Sequence, residues 1–363
     1  MKNFRIHLSF ILPILILAAS CKKPKVVDPT PTPPTGGGGT GGGTAVIAPP
    51  PALGFNVIGY FPSYRVVANV PDVKFRMCNV VNYAFARINA LGGLAVEQPA
   101  KLIELRDKAK AQSAKVFISV SGIEADFATM AATAAGRTAF INLCMNVVRQ
   151  YNLDGIDMDW EFPKTSNGTD ITYTALMKQL SDSCHTNSKY YLTAAITAGK
   201  YAGSIRDAIS SELLTGPYVD WFNIMSYDDF NTDPLYPYVH HTPLSLSTTS
   251  FNYWITTRGM PATKAVLGIA GYGRPSGITQ TNNVLSLDQI IMQGGNPQID
   301  SAIVSSTATS NYKIYYNGIA TVKRKAMLAK QRGTGIMIWE KTQDVHDNNS
   351  LLKAVCDTIG RTY

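Results

Sequence analysis

The stretch Leu153-Asp154-Gly155-Ile156-Asp157-Met158-Asp159-Trp160-Glu161-Phe162-Pro163 places three acids at alternating positions of an otherwise apolar run. Asp157, Asp159 and Glu161 stand at i, i+2 and i+4, which on a β-strand is one face. Ile156, Met158 and Trp160 then point the other way and are free to pack against helices. Burying three acids costs several kcal/mol and returns nothing to stability, so a chemical role is the economical reading. Three carboxylates this close cannot all ionise easily, and both repulsion and burial raise at least one pKa. A carboxylic acid kept protonated near neutral pH is a general acid. Asp154 has the opposite parity and reads as structural. A divalent-cation site is the competing use of such acids, but it would want further acids or histidines from neighbouring strands, and few are present.

Outward from this stretch, short runs rich in Val, Ile, Phe and Tyr recur eight times, at 55–60, 80–86, 116–120, 155–160, 191–196, 221–226, 266–269 and 335–339. The gaps are long enough for crossover helices. Apolar residues at helical spacing predict helices over 99–114, 137–151, 172–185, 204–214, 247–257, 287–293, 321–331 and 350–359. Eight such repeats predict an α/β fold, a (β/α)8 TIM barrel. The acids on the fourth strand would then climb towards the end of the barrel where active sites lie. An open doubly wound sheet is the alternative, but its glycine-rich phosphate fingerprint is missing after the first strand.

The composition agrees. The chain has 363 residues, 45% of them hydrophobic and 16% charged, which excludes a wholly disordered or collagen-like protein. Five cysteines in this length exclude a disulfide-framework mini-domain. The formal charge is +8, part of it from Lys2 and Arg5 in an expected leader, and no block of Lys and Arg points to nucleic acid. Residues 1–20 read as an export signal: Lys2 and Arg5, then an apolar run from Leu8 to Ala19, too short to span a bilayer. Leu17-Ala18-Ala19-Ser20-Cys21 resembles a bacterial lipoprotein signal, which implies cleavage before Cys21 and its lipidation; an ordinary secretory signal is the alternative. Residues 21–52 are rich in Pro, Gly and Thr and predict a disordered tether. The expected organisation is a signal at 1–20, lipidated Cys21 and tether to 52, and one folded domain over 53–363. The expected location is a membrane-anchored lipoprotein in the periplasm or on the cell surface, touching the membrane through its lipid alone.

Asp154-Gly155-Ile156-Asp157-Met158-Asp159-Trp160-Glu161 resembles the Asp-Gly-x-Asp-x-Asp-x-Glu signature of glycoside hydrolase family 18, the retaining chitinases and their relatives. The other strands agree in order. Gly59-Tyr60-Phe61 resembles the family's first strand and Asn82-Tyr83-Ala84-Phe85 its second. Val116 to Gly122 resembles the third, normally ending Ser-x-Gly-Gly. Met225-Ser226-Tyr227-Asp228 resembles the sixth, Tyr272-Gly273-Arg274 the end of the seventh, and Met337-Ile338-Trp339-Glu340 the eighth.

The resemblance implies hydrolysis without an enzymic nucleophile, an exception to the usual two-carboxylate scheme. Glu161 would protonate the departing glycosidic oxygen, and the substrate's own 2-acetamido oxygen would attack the anomeric carbon. Asp159 would orient the acetamido N–H, Asp157 would share a proton with Asp159, and Tyr227 would donate to the acetamido oxygen. Tyr60 and Ser119 match residues beneath the aspartate pair. Met225 and Trp339 match the floor under the reacting sugar, Asp228 a sugar contact, and Arg274 a residue nearer the departing side. The implied partner is chitin or another N-acetylglucosamine-containing glycan, with no cofactor, no metal and no nucleic acid, acting as a monomer.

The departures from the family pattern are as informative. Ser121 replaces the first Gly of the usual pair, Ile123 stands where chitinases often place Trp, and Gly271 replaces a common Phe. Between Tyr272 and Gly333, helices at 287–293 and 321–331 leave too little chain for a full α+β insertion. A shallower, more open groove follows. His240-His241 falls in the loop after the sixth strand and reads as a solvated loop, with a substrate contact the alternative, and Cys78, Cys144, Cys184 and Cys356 read as mostly buried free thiols, with one bridged pair the alternative. The leading expectation is an endo-acting chitinase. An endo-β-N-acetylglucosaminidase acting on N-glycans is the first alternative, and a non-catalytic chitin-binding lectin the second.

Overall fold

Short apolar strands separated by amphipathic helices bury both faces of each strand under helices, either in an open sheet or in a closed barrel. The computed structural model is the closed barrel. It describes residues 45–363 apart from 232, 237, 278–282 and 308; the export signal, Cys21 and most of the expected tether lie outside the described residues.

Eight parallel strands run Asn56–Pro62, Val80–Ile88, Lys115–Ser121, Gly155–Asp159, Tyr191–Thr197, Trp221–Met225, Ala265–Ala270 and Gly335–Trp339. Each pairs with its sequence neighbours in the barrel, and the first pairs with both the second and the eighth, so the sheet closes. All eight match the runs read from the sequence. The register places Ser119 and Thr193 directly beside Asp157 on the flanking strands. Neighbours in register share a face, so all three point into the barrel.

The opposite parity behaves as expected. Trp160 is buried outside the barrel, stacked on Phe127 at 4.9 Å and edge-on to Tyr173 at 5.6 Å. These rings come from the helices Glu124–Ala131 and Thr169–His185. Burying this aromatic cluster fixes the outer face of the fourth strand, and so the inward aim of its acids. Asp154 accepts a hydrogen bond from the backbone N–H of Val116 at 2.9 Å, the structural part its parity suggested.

Three helices differ from the sequence reading. The segment predicted over 204–214 splits into a 3-10 turn, Arg206–Ala208, and a short helix, Ser211–Thr215. The cause is local: the Ser210 hydroxyl accepts from the N–H of Leu213 and starts a new helix there. The segment at 247–257 begins earlier, as Leu244–Phe251, and continues as a π-helix over Asn252–Thr257. Leu287–Met292 is a helix but not a member of the barrel's ring. It sits with a four-stranded antiparallel sheet made of Tyr272–Pro275, Leu285–Ser286, Ser301–Val304 and Tyr312–Tyr315. The crossover to the eighth strand is Ile319–Arg332 alone. The freed chain therefore builds a small insertion, with strands of two to four residues, where the sequence left no room for a full one.

Upstream of Leu53, in the stretch assigned to the tether, Ile47 forms a bridge with Thr186, and Pro51 accepts from the Tyr191 hydroxyl at 2.7 Å. Cys78, Cys144, Cys184 and Cys356 are buried and free. Among the described residues no helix is long and apolar enough to cross a membrane.

Candidate active site

The three acids stand one above another. Asp157 is fully buried, and four donors converge on its carboxylate. The Tyr60 hydroxyl donates to Oδ2 at 2.7 Å and Ser119 Oγ to the same oxygen at 3.0 Å. Thr193 Oγ1 donates to Oδ1 at 2.6 Å and Asn223 Nδ2 at 3.0 Å. Asn223 also reaches the Tyr60 oxygen at 3.0 Å. Burial raises the Asp157 pKa, and these four hydrogen bonds work against the rise. With its acceptor positions taken by the protein, Asp157 has nothing left for a cation. Among the described residues no group of His, Cys, Asp and Glu is arranged to hold a metal.

Asp159 lies one step up, 5% exposed, and its Oδ1 is buried without a partner among the described residues. Burial, then the charges of Glu161 and Asp157, push its pKa well up. A carboxyl in that setting keeps its proton to higher pH than an ordinary aspartate does. Glu161 follows just beyond the strand. Burial and the charge of Asp228 raise its pKa, while Asp159 and Arg87 oppose the rise.

These groups open into a cavity of ≈ 290 Å³ whose lining includes Asp159, Glu161, Met225, Tyr227, Asp228 and Trp339. Trp339 is edge-on to Tyr60 at 5.5 Å and stacked on Phe85 at 5.7 Å, which fixes its face. Among the described residues the Tyr227 hydroxyl has only the Met337 thioether, at 3.7 Å, and burial keeps it protonated. Its ring demands a glycine on the seventh strand: a Cβ at Gly268 would lie 2.8 Å from Tyr227 Cε1 and 2.5 Å from the Ile224 carbonyl. A second cleft, ≈ 390 Å³, shares Glu161, Met225, Tyr227 and Asp228 with the first and continues past Phe162 and Lys200. Glu161 thus stands at the junction of the two spaces.

Asp228 adopts φ 61°, a left-handed backbone that Asp tolerates better than most residues. It accepts from the Tyr272 hydroxyl at 2.6 Å and from Arg274 Nε at 2.5 Å. Burial would raise its pKa, but His241, Arg274 and Tyr272 together hold it at about 2. Tyr272 and Arg274 lie on the first strand of the small insertion, so that sheet serves the site directly. Arg274 reaches the cavity through Asp228 rather than lining it.

The sequence-predicted residues Tyr60, Ser119, Asp157, Asp159, Glu161, Met225, Tyr227, Asp228 and Trp339 are therefore gathered in one place; Cys21 lies outside the described residues. Thr193, Asn223 and Arg87 were missed. Asn223 carried a signal, since it is a lone amide on an apolar strand and a buried polar group needs a partner. The solvated loop expected at His240-His241 is corrected. His241 is fully buried, 5.2 Å from the Tyr272 ring, and His240 faces the Tyr316 carbonyl at 2.9 Å. Burial lowers the pKa of both, that of His240 to about 3.

Comparison with known proteins finds chitinases in both sequence and fold. The Class V chitinase of Arabidopsis thaliana is 28% identical over 285 residues, 67% of this chain and 72% of that protein. Chitinase A1 of Niallia circulans is 28% identical over 314 residues, 63% of this chain but only 44% of that protein, so less than half of that relative's length is matched. The crystal structure of a GH18 chitinase from Cycas revoluta in complex with (GlcNAc)3 superposes with a TM-score of 0.72 at 22% identity, covering 84% of this chain and 100% of that one. The family model of the glycosyl hydrolases of family 18 matches residues 56–344, most of the chain and nearly all of the closed barrel, and the chain belongs to that family.

Proposed function

We propose that the protein hydrolyses β-1,4 bonds next to N-acetylglucosamine in chitin, with retention at the anomeric carbon and with the substrate's acetamido group as nucleophile. The observation that carries this reading is the layout of the ladder: a saturated Asp157, a raised Asp159 with a free oxygen, and Glu161 at the junction of two cavities. The two similar proteins named chitinases, and the Cycas revoluta structure that holds (GlcNAc)3, support it.

In the first half-reaction the acetamido oxygen bonds to the anomeric carbon as the glycosidic C–O bond breaks. The departing oxygen takes the proton of Glu161. Asp159 meets the acetamido N–H and Tyr227 donates to the acetamido oxygen, so the attack starts from an aligned geometry. Trp339 lies against the apolar face of the sugar. In the second half-reaction water gives its proton to the Glu161 carboxylate and opens the oxazolinium ring.

Tyr227→Phe removes one oriented donor from a water-poor site. Its kcat on chitotetraose falls by about 10², the cost of losing one such donor elsewhere. A loss under threefold would remove Tyr227 from the mechanism. The substrate assignment is checked by comparing product release from chitopentaose with release from an N-glycosylated protein. Cleavage of chitopentaose supports the reading, whereas cleavage of the glycoprotein alone replaces chitin by the N-glycan core.

A further inference from the structure

The cavity of the carboxyl ladder contains a cation that nothing above assigns to the reaction. Arg87 lies at the end of the second barrel strand and lines the same cavity as Asp159, Glu161 and Asp228. Among the described residues lining that cavity it is the one cation. Three contacts hold its guanidinium in place. The ring of Phe85 lies 4.2 Å from Cζ, Nε donates to Glu97 Oε1 at 3.1 Å, and Nη1 donates to Ser121 Oγ at 3.3 Å. Ser121 is the residue that departs from the family's glycine, and its hydroxyl is what gives the guanidinium this third support. Glu97 is held in turn by the Ser63 hydroxyl at 2.6 Å. A planar, always-charged group fixed on three sides is a fixed source of positive potential, which a mobile lysine would not be.

We propose that Arg87 is a positioning residue that acts through Glu161: its charge sets the pH at which the general acid gives up its proton. This rests on the reading of Glu161 as that acid. The other groups around Glu161 are accounted for. Asp159 faces it from its own strand, with Asp157 and Tyr60 a layer below. Tyr227 and Asp228 face it from the end of the sixth strand, and the charge of Asp228 is met by Arg274, Tyr272 and His241. In the adjoining cleft Lys200 is bound to Asp229 at 2.5 Å and Arg206 to Asp207 at 2.8 Å. Arg87 is left as the counterweight to the ladder, and its charge opposes the rise in both upper carboxyls.

The sign follows. A nearby cation favours the carboxylate, so removing it favours the acid, and Glu161 stays protonated to higher pH. In Arg87→Gln the alkaline limb of kcat/KM on chitotetraose moves up by about half to one pH unit, the scale expected for a half-exposed charge at this range. Arg87→Lys keeps the charge and leaves the limb near its wild-type position. Glu97→Gln removes a negative charge from beside the guanidinium and moves the limb the other way. High salt narrows the gap between wild type and Arg87→Gln. A merely structural role would depress kcat/KM evenly at every pH without moving the limb. An unmoved limb in Arg87→Gln, or an equal shift in Arg87→Lys, overturns the proposal. If the wild type does not cleave chitotetraose at all, the reading of Glu161 fails and this inference falls with it; cleavage with an unmoved limb sinks the inference alone.

Discussion

Glu161→Gln lowers kcat on chitotetraose by about 10²–10⁴, the contribution of a positioned general acid. Glutamine has nearly the same shape and disturbs its surroundings little, but it has no proton to deliver to the leaving oxygen. Trp339, Met225, Tyr227 and Asp159, the cavity residues proposed to hold the sugar, are untouched, so KM changes little and the loss falls on kcat. Stability should hold or rise, because the substitution removes a charge that burial and Asp228 already disfavour. Steady-state kinetics with a thermal melt on the same sample reads both quantities. Activity within tenfold of wild type, in a protein that melts normally, would show that the proton comes from elsewhere.

Asp344→Ala should destabilise the fold strongly. Asp344 and Lys74 form an ion pair at 2.5 Å, with side chains 0% and 1% exposed. The same carboxylate accepts from Ser350 Oγ at 2.7 Å and from the N–H groups of Leu351 and Leu352 at 2.7 and 3.1 Å. It therefore neutralises a buried lysine and satisfies the start of the helix Leu351–Ile359 at once. Lys74 belongs to the helix Asp72–Arg76, which follows the first barrel strand, whereas Asp344 follows the eighth. The pair joins the two ends of the barrel's chain. Alanine leaves the ammonium unpaired and costs about 3–5 kcal/mol, a large share of a typical folding free energy. Asp344→Asn keeps an acceptor for the helix N–H groups and loses less. Replacing both partners, Lys74→Met with Asp344→Leu, removes the stranded charge and recovers part of the loss. Denaturant melts of the three variants test the ordering. A double variant less stable than Asp344→Ala would show that the buried charge is not the cause.

The contrast between these two sites marks what could be read from the sequence. The acids of the fourth strand were legible because strand geometry has a period of two, and three acids at that period leave one arrangement of inside and outside. Trp160 packs on Phe127 and Tyr173 for the same reason. Thr193 and Asn223 were not singled out, since their role exists only once the register sets them around Asp157 from strands far away in sequence. Lys74 and Asp344 are 270 residues apart and carry no local pattern. Leu287–Met292 shows how periodicity misleads. Its apolar spacing is that of a helix packed on a sheet, and nothing in it tells a barrel strand from the small antiparallel sheet it sits with. His240 and His241 looked like loop residues because polar pairs between elements usually are. Their burial depends on the insertion, through the ring of Tyr272 and the carbonyl of Tyr316.

The anomer first released tests the central claim most directly. Proton NMR on chitotetraose, recorded before mutarotation is appreciable, reads the configuration of the new reducing end. Attack by the sugar's own acetamido group followed by water inverts the anomeric carbon twice, so the β-anomer should appear first. An initial excess of the α-anomer would mean that water attacks directly, and the roles assigned here to Asp159, Tyr227 and the acetamido group would be wrong.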